Sequence, residues 1–210
     1  MSHPIVSTVT IIAGNASLLA TSQNGFAKTP LTLVAGATLD APRRVIVTSA
    51  GNDSGITFTV TGTARNEQNN VVQSETITGA NGAAAQTTQD FLTVTSVAPN
   101  GNTASTVTVG TSGVASGPWV VWDSFIPEFL VSIQGNVLSG APTWSVEVTQ
   151  DDVFGTWLPA GVPFPRAALL PILNNQSSNA FGLLVQPYRA SRLTLTAFGS
   201  VSLTQQQTGN

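Results

Sequence analysis

The run Pro42-Arg43-Arg44-Val45-Ile46-Val47-Thr48-Ser49-Ala50-Gly51-Asn52-Asp53-Ser54-Gly55-Ile56-Thr57-Phe58-Thr59-Val60-Thr61-Gly62-Thr63 reads as two strands joined by a turn. In its second half Ile56, Phe58 and Val60 alternate with Thr57, Thr59 and Thr61. Successive side chains of a strand point to opposite faces, so this alternation predicts a sheet with one buried face. Ser49 to Gly55 is a cluster of Ser, Gly, Asn and Asp, residues that tolerate positive φ or bond their own backbone, and it predicts the turn. A shorter version recurs at the other end. Tyr188 to Thr196 leads through Phe198-Gly199 into Val201-Ser202-Leu203-Thr204, again with arginines (Arg189, Arg192) ahead of the strand.

Outward from this stretch the same grammar continues. Ile5 to Ile12 and Leu31 to Val34 are short apolar runs separated by Gly14-Asn15 and Asn24-Gly25, the latter a hairpin dipeptide. Val71 to Thr78, Phe91 to Val97 and Thr106 to Thr111 follow as strand candidates between Gly/Asn/Pro loops. Strands are also expected at Phe129 to Gln134, Thr143 to Gln150 and Phe181 to Gln186. Many short strands without a 3.6-residue stripe predict an all-β chain, an antiparallel β-sandwich or jelly roll. We divide it into residues 1–40 (an N-terminal arm and first strands), 41–117 (a first β-sandwich region) and 118–210 (a second β region). A boundary between two small β domains is expected near residues 113–127, where Gly117-Pro118-Trp119-Val120-Val121-Trp122 begins. The alternative is a crossover between two sheets of one domain.

Only 8% of the 210 residues are charged, against about 25% in an average protein. Thr, Ser, Asn, Gln and Gly must therefore cover the surface, which leaves it poorly defended against association. The net charge is −3. Seven cations (Lys28, Arg43, Arg44, Arg65, Arg166, Arg189 and Arg192) do not form the row of charge that releases counterions from a phosphate backbone, so direct nucleic-acid binding is not expected. With no cysteine there is no disulfide framework and no thiolate metal site. Met1-Ser2-His3-Pro4 does not open a signal peptide and no run is long and apolar enough for a membrane helix, so we expect a soluble, intracellularly made product.

Chemistry is sparse. His3, the one histidine, stands at the chain start, and neither a nucleophile elbow nor a phosphate-binding loop occurs, so no enzymatic activity and no cofactor are expected. A carboxylate pair such as Glu147 with Asp151 reads as a strand end before it reads as a glycosidase dyad. Asn52-Asp53-Ser54 and Asp151-Asp152 could offer oxygens to calcium but lack the spacing of a calcium loop, and we expect no bound metal. The signal that remains is for contact. Within Trp157 to Asn179, and above all at 157–173, Pro159, Pro163, Pro165 and Pro171 interrupt Val162, Phe164, Leu169, Leu170, Ile172 and Leu173. Proline excludes a central strand, and an exposed apolar loop of this kind seeks a partner. The expected interface residues are Arg43, Arg44, Phe164, Leu169, Leu170, Ile172, Arg189 and Arg192. The arginines could make ion pairs to a neighbouring subunit, or cover a sheet edge within their own.

The organising stretch, with Ser74-Glu75-Thr76-Ile77-Thr78-Gly79, Phe91-Leu92-Thr93-Val94-Thr95-Ser96-Val97, Val107-Thr108-Val109-Gly110-Thr111 and Pro118-Trp119-Val120-x-Trp122, resembles phrases of small virion structural proteins of tailed bacteriophages. The resemblance spans roughly residues 40–125. It implies a non-enzymatic virion protein, made in the host cytoplasm, that forms a homo-oligomer, a trimer being favoured, and binds the major capsid protein or other virion proteins. A capsid decoration (cement) protein is the first expectation and a tail or head–tail component the second. A carbohydrate-binding β module is a third, and it would require Trp119, Trp122, Trp144 and Trp157 to be exposed as a stacking platform.

Overall fold

The computed structural model describes residues 4–34, 38–64, 71–126, 128–154 and 168–208. These residues form fourteen strands and one 3₁₀ turn, Pro171–Leu173, and each strand takes part in at least one antiparallel pairing. The all-β expectation holds. The strands group into two compact units, one from the described residues within 13–115, the other from the described residues within 4–12 and 116–208.

The first unit contains β2 (Asn15–Asn24), β3 (Thr38–Ser49), β4 (Thr57–Ala64), β5 (Val71–Thr78), β6 (Ala84–Pro99) and β7 (Thr106–Ser116). Its strands lie in the order β7-β3-β6-β4-β5, and β2 pairs with β7. The alternation in β4 does what the sequence predicts. Phe58 and Val60 are fully buried, together with Val45 and Val47 of β3 and Phe91 and Val97 of β6. Across the other face Thr59 bonds Thr76 and Thr61 bonds Ser74, hydroxyl to hydroxyl, between β4 and β5.

The hairpin expected over residues 42–63 is not formed. β3 and β4 are separated by β6, which pairs with both. The Ser49–Gly55 cluster still makes a turn, but its partner is the loop after β5. Asp53 N donates to Ala80 O, Gly82 N to Gly51 O and Gly79 N to Ile56 O. That docking carries the chain back between the two strands. Asn24-Gly25 is no hairpin either: the chain leaves β2 there, and Leu31 N donates to Val97 O and Val34 N to Leu19 O without forming a strand.

The second unit is a sandwich. One sheet has the order β1-β14-β9-β12, from β1 (Ile5–Ile11), β14 (Gly199–Thr208), β9 (Leu130–Gly140) and β12 (Ala180–Leu184). The other includes β8 (Val120–Val121), β10 (Trp144–Thr149), β11 (Ala168–Leu169) and β13 (Ala190–Leu195), with β10 between β11 and β13 and β8 also on β13. Val9, Ile133, Leu203, Trp144, Val146 and Leu193 are among the side chains buried between them. A buried polar thread crosses the sandwich: Trp122 Nε1 donates to Ser191 Oγ, and Ser191 Oγ donates to Gln205 Oε1. The C-terminal strands β13 and β14, read from sequence as a hairpin, belong to different sheets, so the Phe198-Gly199 link passes from one layer to the other.

Candidate assembly surface

Arg43 and Arg44 are consecutive in β3 and so point to opposite faces. Arg43 is fully buried, its Nη1 3.4 Å from Asp40 Oδ1 and donating to Thr111 Oγ1. Burial pulls this guanidinium below its ordinary pKa range, and the nearby Asp40 carboxylate opposes the pull. A side chain in the core is in no position to pair with a neighbouring subunit. Nor does it cover an edge, because β3 lies between β6 and β7. Arg44 stands across from Asp90 in the β3–β6 register, with Nε 3.7 Å from Oδ1, and keeps about a third of its side chain exposed.

Arg192 of β13 faces Glu147 of β10 in register. Its Nε and Nη2 both lie 2.8 Å from Glu147 Oε2, its Nη1 donates to Ser116 Oγ, and its guanidinium sits 4.7 Å from the centre of the Trp119 ring. These contacts hold it inside its own subunit. Arg189 Nη2 lies 3.8 Å from Asp152 Oδ1 at a partly exposed site, where an ion pair contributes little.

The Pro-rich run divides by residue. Leu170 is buried, and its N–H donates to Val146 O, so it belongs to the core and not to an outward surface. Leu169 (49% exposed) and Ile172 (59%) remain outward. Phe164 and Trp157 lie outside the described residues. Trp119, Trp122 and Trp144 are all buried, so the four-tryptophan platform is not formed.

In the turns considered for calcium, several oxygens accept from the chain's own N–H and hydroxyl groups. Asp53 is buried and Oδ1 accepts from Ala104 N, while Asn52 Oδ1 accepts from Ser54 N and Oγ. Asp152 Oδ1 accepts from Phe154 N. Among the described residues no three His, Cys, Asp or Glu side chains gather as a metal site. Glu75, which sequence reading passed over, ties β5 to the irregular part of β6: Oε1 accepts from Thr88 N and Oγ1, Oε2 from Gln89 N.

The sheet β1-β14-β9-β12 carries a different signal. None of its four strands contains Lys, Arg, Asp or Glu. The strands come from four separate charge-free parts of the chain, residues 1–27, 129–146, 167–188 and 193–210, which the fold gathers into one layer. On its outer face Val6 of β1, Leu138 of β9 and Phe181 of β12 are exposed among Thr8, Thr10, Gln134 and Thr204. Phe181 pairs with Gln134, Gln134 with Thr204 and Thr204 with Val6, one row from edge to edge. Val6 is 60% exposed and Phe181 59%, with Leu183 beside Phe181 on the same face. On the inner side of β12, Gly182 rests on Leu173 and Ile172. No family model, curated protein or solved structure matches the chain.

Proposed function

We propose that this protein is a non-enzymatic structural component that works by assembling, and that the assembly is a bacteriophage virion. The observation that carries the reading is the charge-free sheet, whose exposed Val6, Phe181 and Leu183 lie on strands that end the layer. Surfaces of this composition associate readily because no ion has to be desolvated. Asp40 and Glu147 sit against arginines, and Glu75 and Asp53 accept from backbone N–H groups, so these side chains serve the scaffold. The resemblance of residues 40–125 to virion phrases supplies the setting.

Within a virion, the first reading is a decoration protein that binds the major capsid protein and staples neighbouring capsomers, as a homo-oligomer with a trimer favoured. Many modest contacts repeated by symmetry add up through multivalency. A tail or head–tail ring component is the second reading, favoured by the two pairable edges of one sheet. The test is co-sedimentation of the purified protein with undecorated shells of the cognate phage. Pelleting at a fixed ratio of copies to capsid supports decoration; a ring that leaves shells bare moves the assignment to the tail.

A further inference from the structure

Resting on the assembly reading, we infer that copies of this chain join head to tail by pairing β12 of one copy with β1 of the next, so that the four-stranded sheet continues from subunit to subunit. Four observations lead there. First, β1 and β12 are the two ends of the same sheet, and among the described residues neither pairs with any strand on its outer side. Unpaired N–H and C=O groups along an edge are a template for another strand.

Second, the strand directions match. Three antiparallel pairings separate β1 from β12, so the two edges run in opposite directions. A copy translated sideways therefore brings β12 antiparallel to β1, the pairing this sheet already uses throughout. Third, the edges lack the devices that normally prevent such contact. Neither strand contains a charge, a proline or a register shift.

Fourth, one head-to-tail joint covers both exposed apolar ends at once. Val6 and Phe181 close the same row of the outer face, so joining the edges brings the Phe181 end of one subunit to the Val6 end of the next. A two-fold pairing of β12 with β12 would cover Phe181 and Leu183 but leave Val6 in water. The partner that fits is therefore a second copy of this chain. A heterologous joint of this kind closes into a ring when the rotation between copies divides a full turn, and otherwise extends as a fibre.

The experiment is sedimentation of the full chain, wild type beside Phe181→Lys, Val6→Glu and the double variant, with the thermal midpoint of each as the folding control. Each single charge should raise the dissociation constant at least about tenfold. The double variant should recover most of that loss, because Lys and Glu then meet in one joint. Leu183→Lys, on the same edge, is a second probe and should behave like Phe181→Lys. An assembled wild type whose mass is unchanged by both lysines overturns the joint and leaves the assembly reading standing. A double variant as dissociated as the singles also overturns it, pointing to a two-fold contact. A wild type that stays monomeric and ignores shells overturns the assembly reading itself.

Discussion

The indole of Trp144 lies so close to Gly135 that a Cβ built on the glycine would come within 2.1 Å of the ring carbon Cη2. Trp144 stands on β10 and Gly135 on β9, so this contact sets how closely the two layers of the sandwich pack. The ring is fully buried, and its Nε1 donates to Ser178 O. Gly135→Ala should therefore lower stability by about 2–3 kcal/mol or more, the usual cost of overpacking a closed core. Chemical denaturation measures it. Adding Trp144→Phe should return part of the loss, because the smaller ring leaves room for the methyl group; no recovery would mean the clash is not the cause.

Gly62 sits where the β4–β6 register shifts, between Thr61 and Gly62. An added Cβ would meet Thr93 O at 1.9 Å, and a carbonyl held in a strand cannot rotate away as a side chain can. Gly62→Ala should destabilise the first unit by about 3 kcal/mol or more. Urea unfolding should show a lower midpoint, while Gly55→Ala, with open space around its Cβ, should stay within about 0.5 kcal/mol of the parent.

Leu170 and Ile172 stand two residues apart with opposite fates. Leu170→Ser removes a buried side chain and places a hydroxyl in the core, so it should cost about 3 kcal/mol or more. Ile172→Ser and Leu169→Ser should leave the thermal midpoint almost unchanged and act, if at all, on association. Equal loss of stability in all three would contradict the division.

Arg192 and Glu147 form the best-placed ion pair of the described residues, shielded on both sides and backed by Trp119. Glu147→Gln should cost about 1–3 kcal/mol by leaving the guanidinium without its carboxylate. Arg192→Lys should not restore the parent, because an ammonium cannot engage Glu147, Ser116 and the ring face together. Urea denaturation of the three proteins side by side checks both.

Much of the fold was legible locally. Val71–Thr78 is a strand over the residues its alternation marks, and Phe58 and Val60 are buried as their spacing requires. What could not be read was which strands pair. The Ser49–Gly55 composition dictates a turn, but turn chemistry does not say that β6, arriving far later in the chain, will slip between β3 and β4. Phe198-Gly199 misled in the same way, since a link between sheets and a hairpin turn use the same residues. An arginine ahead of a strand suggests an ion pair to a neighbour or cover for a sheet edge, yet Arg43 is carried inward with Asp40 as its partner. The charge-free runs were in plain view in the sequence. Their meaning was not, because only the topology brings four distant runs into one sheet.

Association through an uncharged sheet is read from the mass of the purified wild-type chain in solution, followed across the micromolar range at low and at molar salt. One closed oligomer is expected, a trimer first, whose mass does not fall as salt rises, because no charge pair is screened at an uncharged joint. A monomer throughout that range, or an oligomer that salt dissolves, would contradict it.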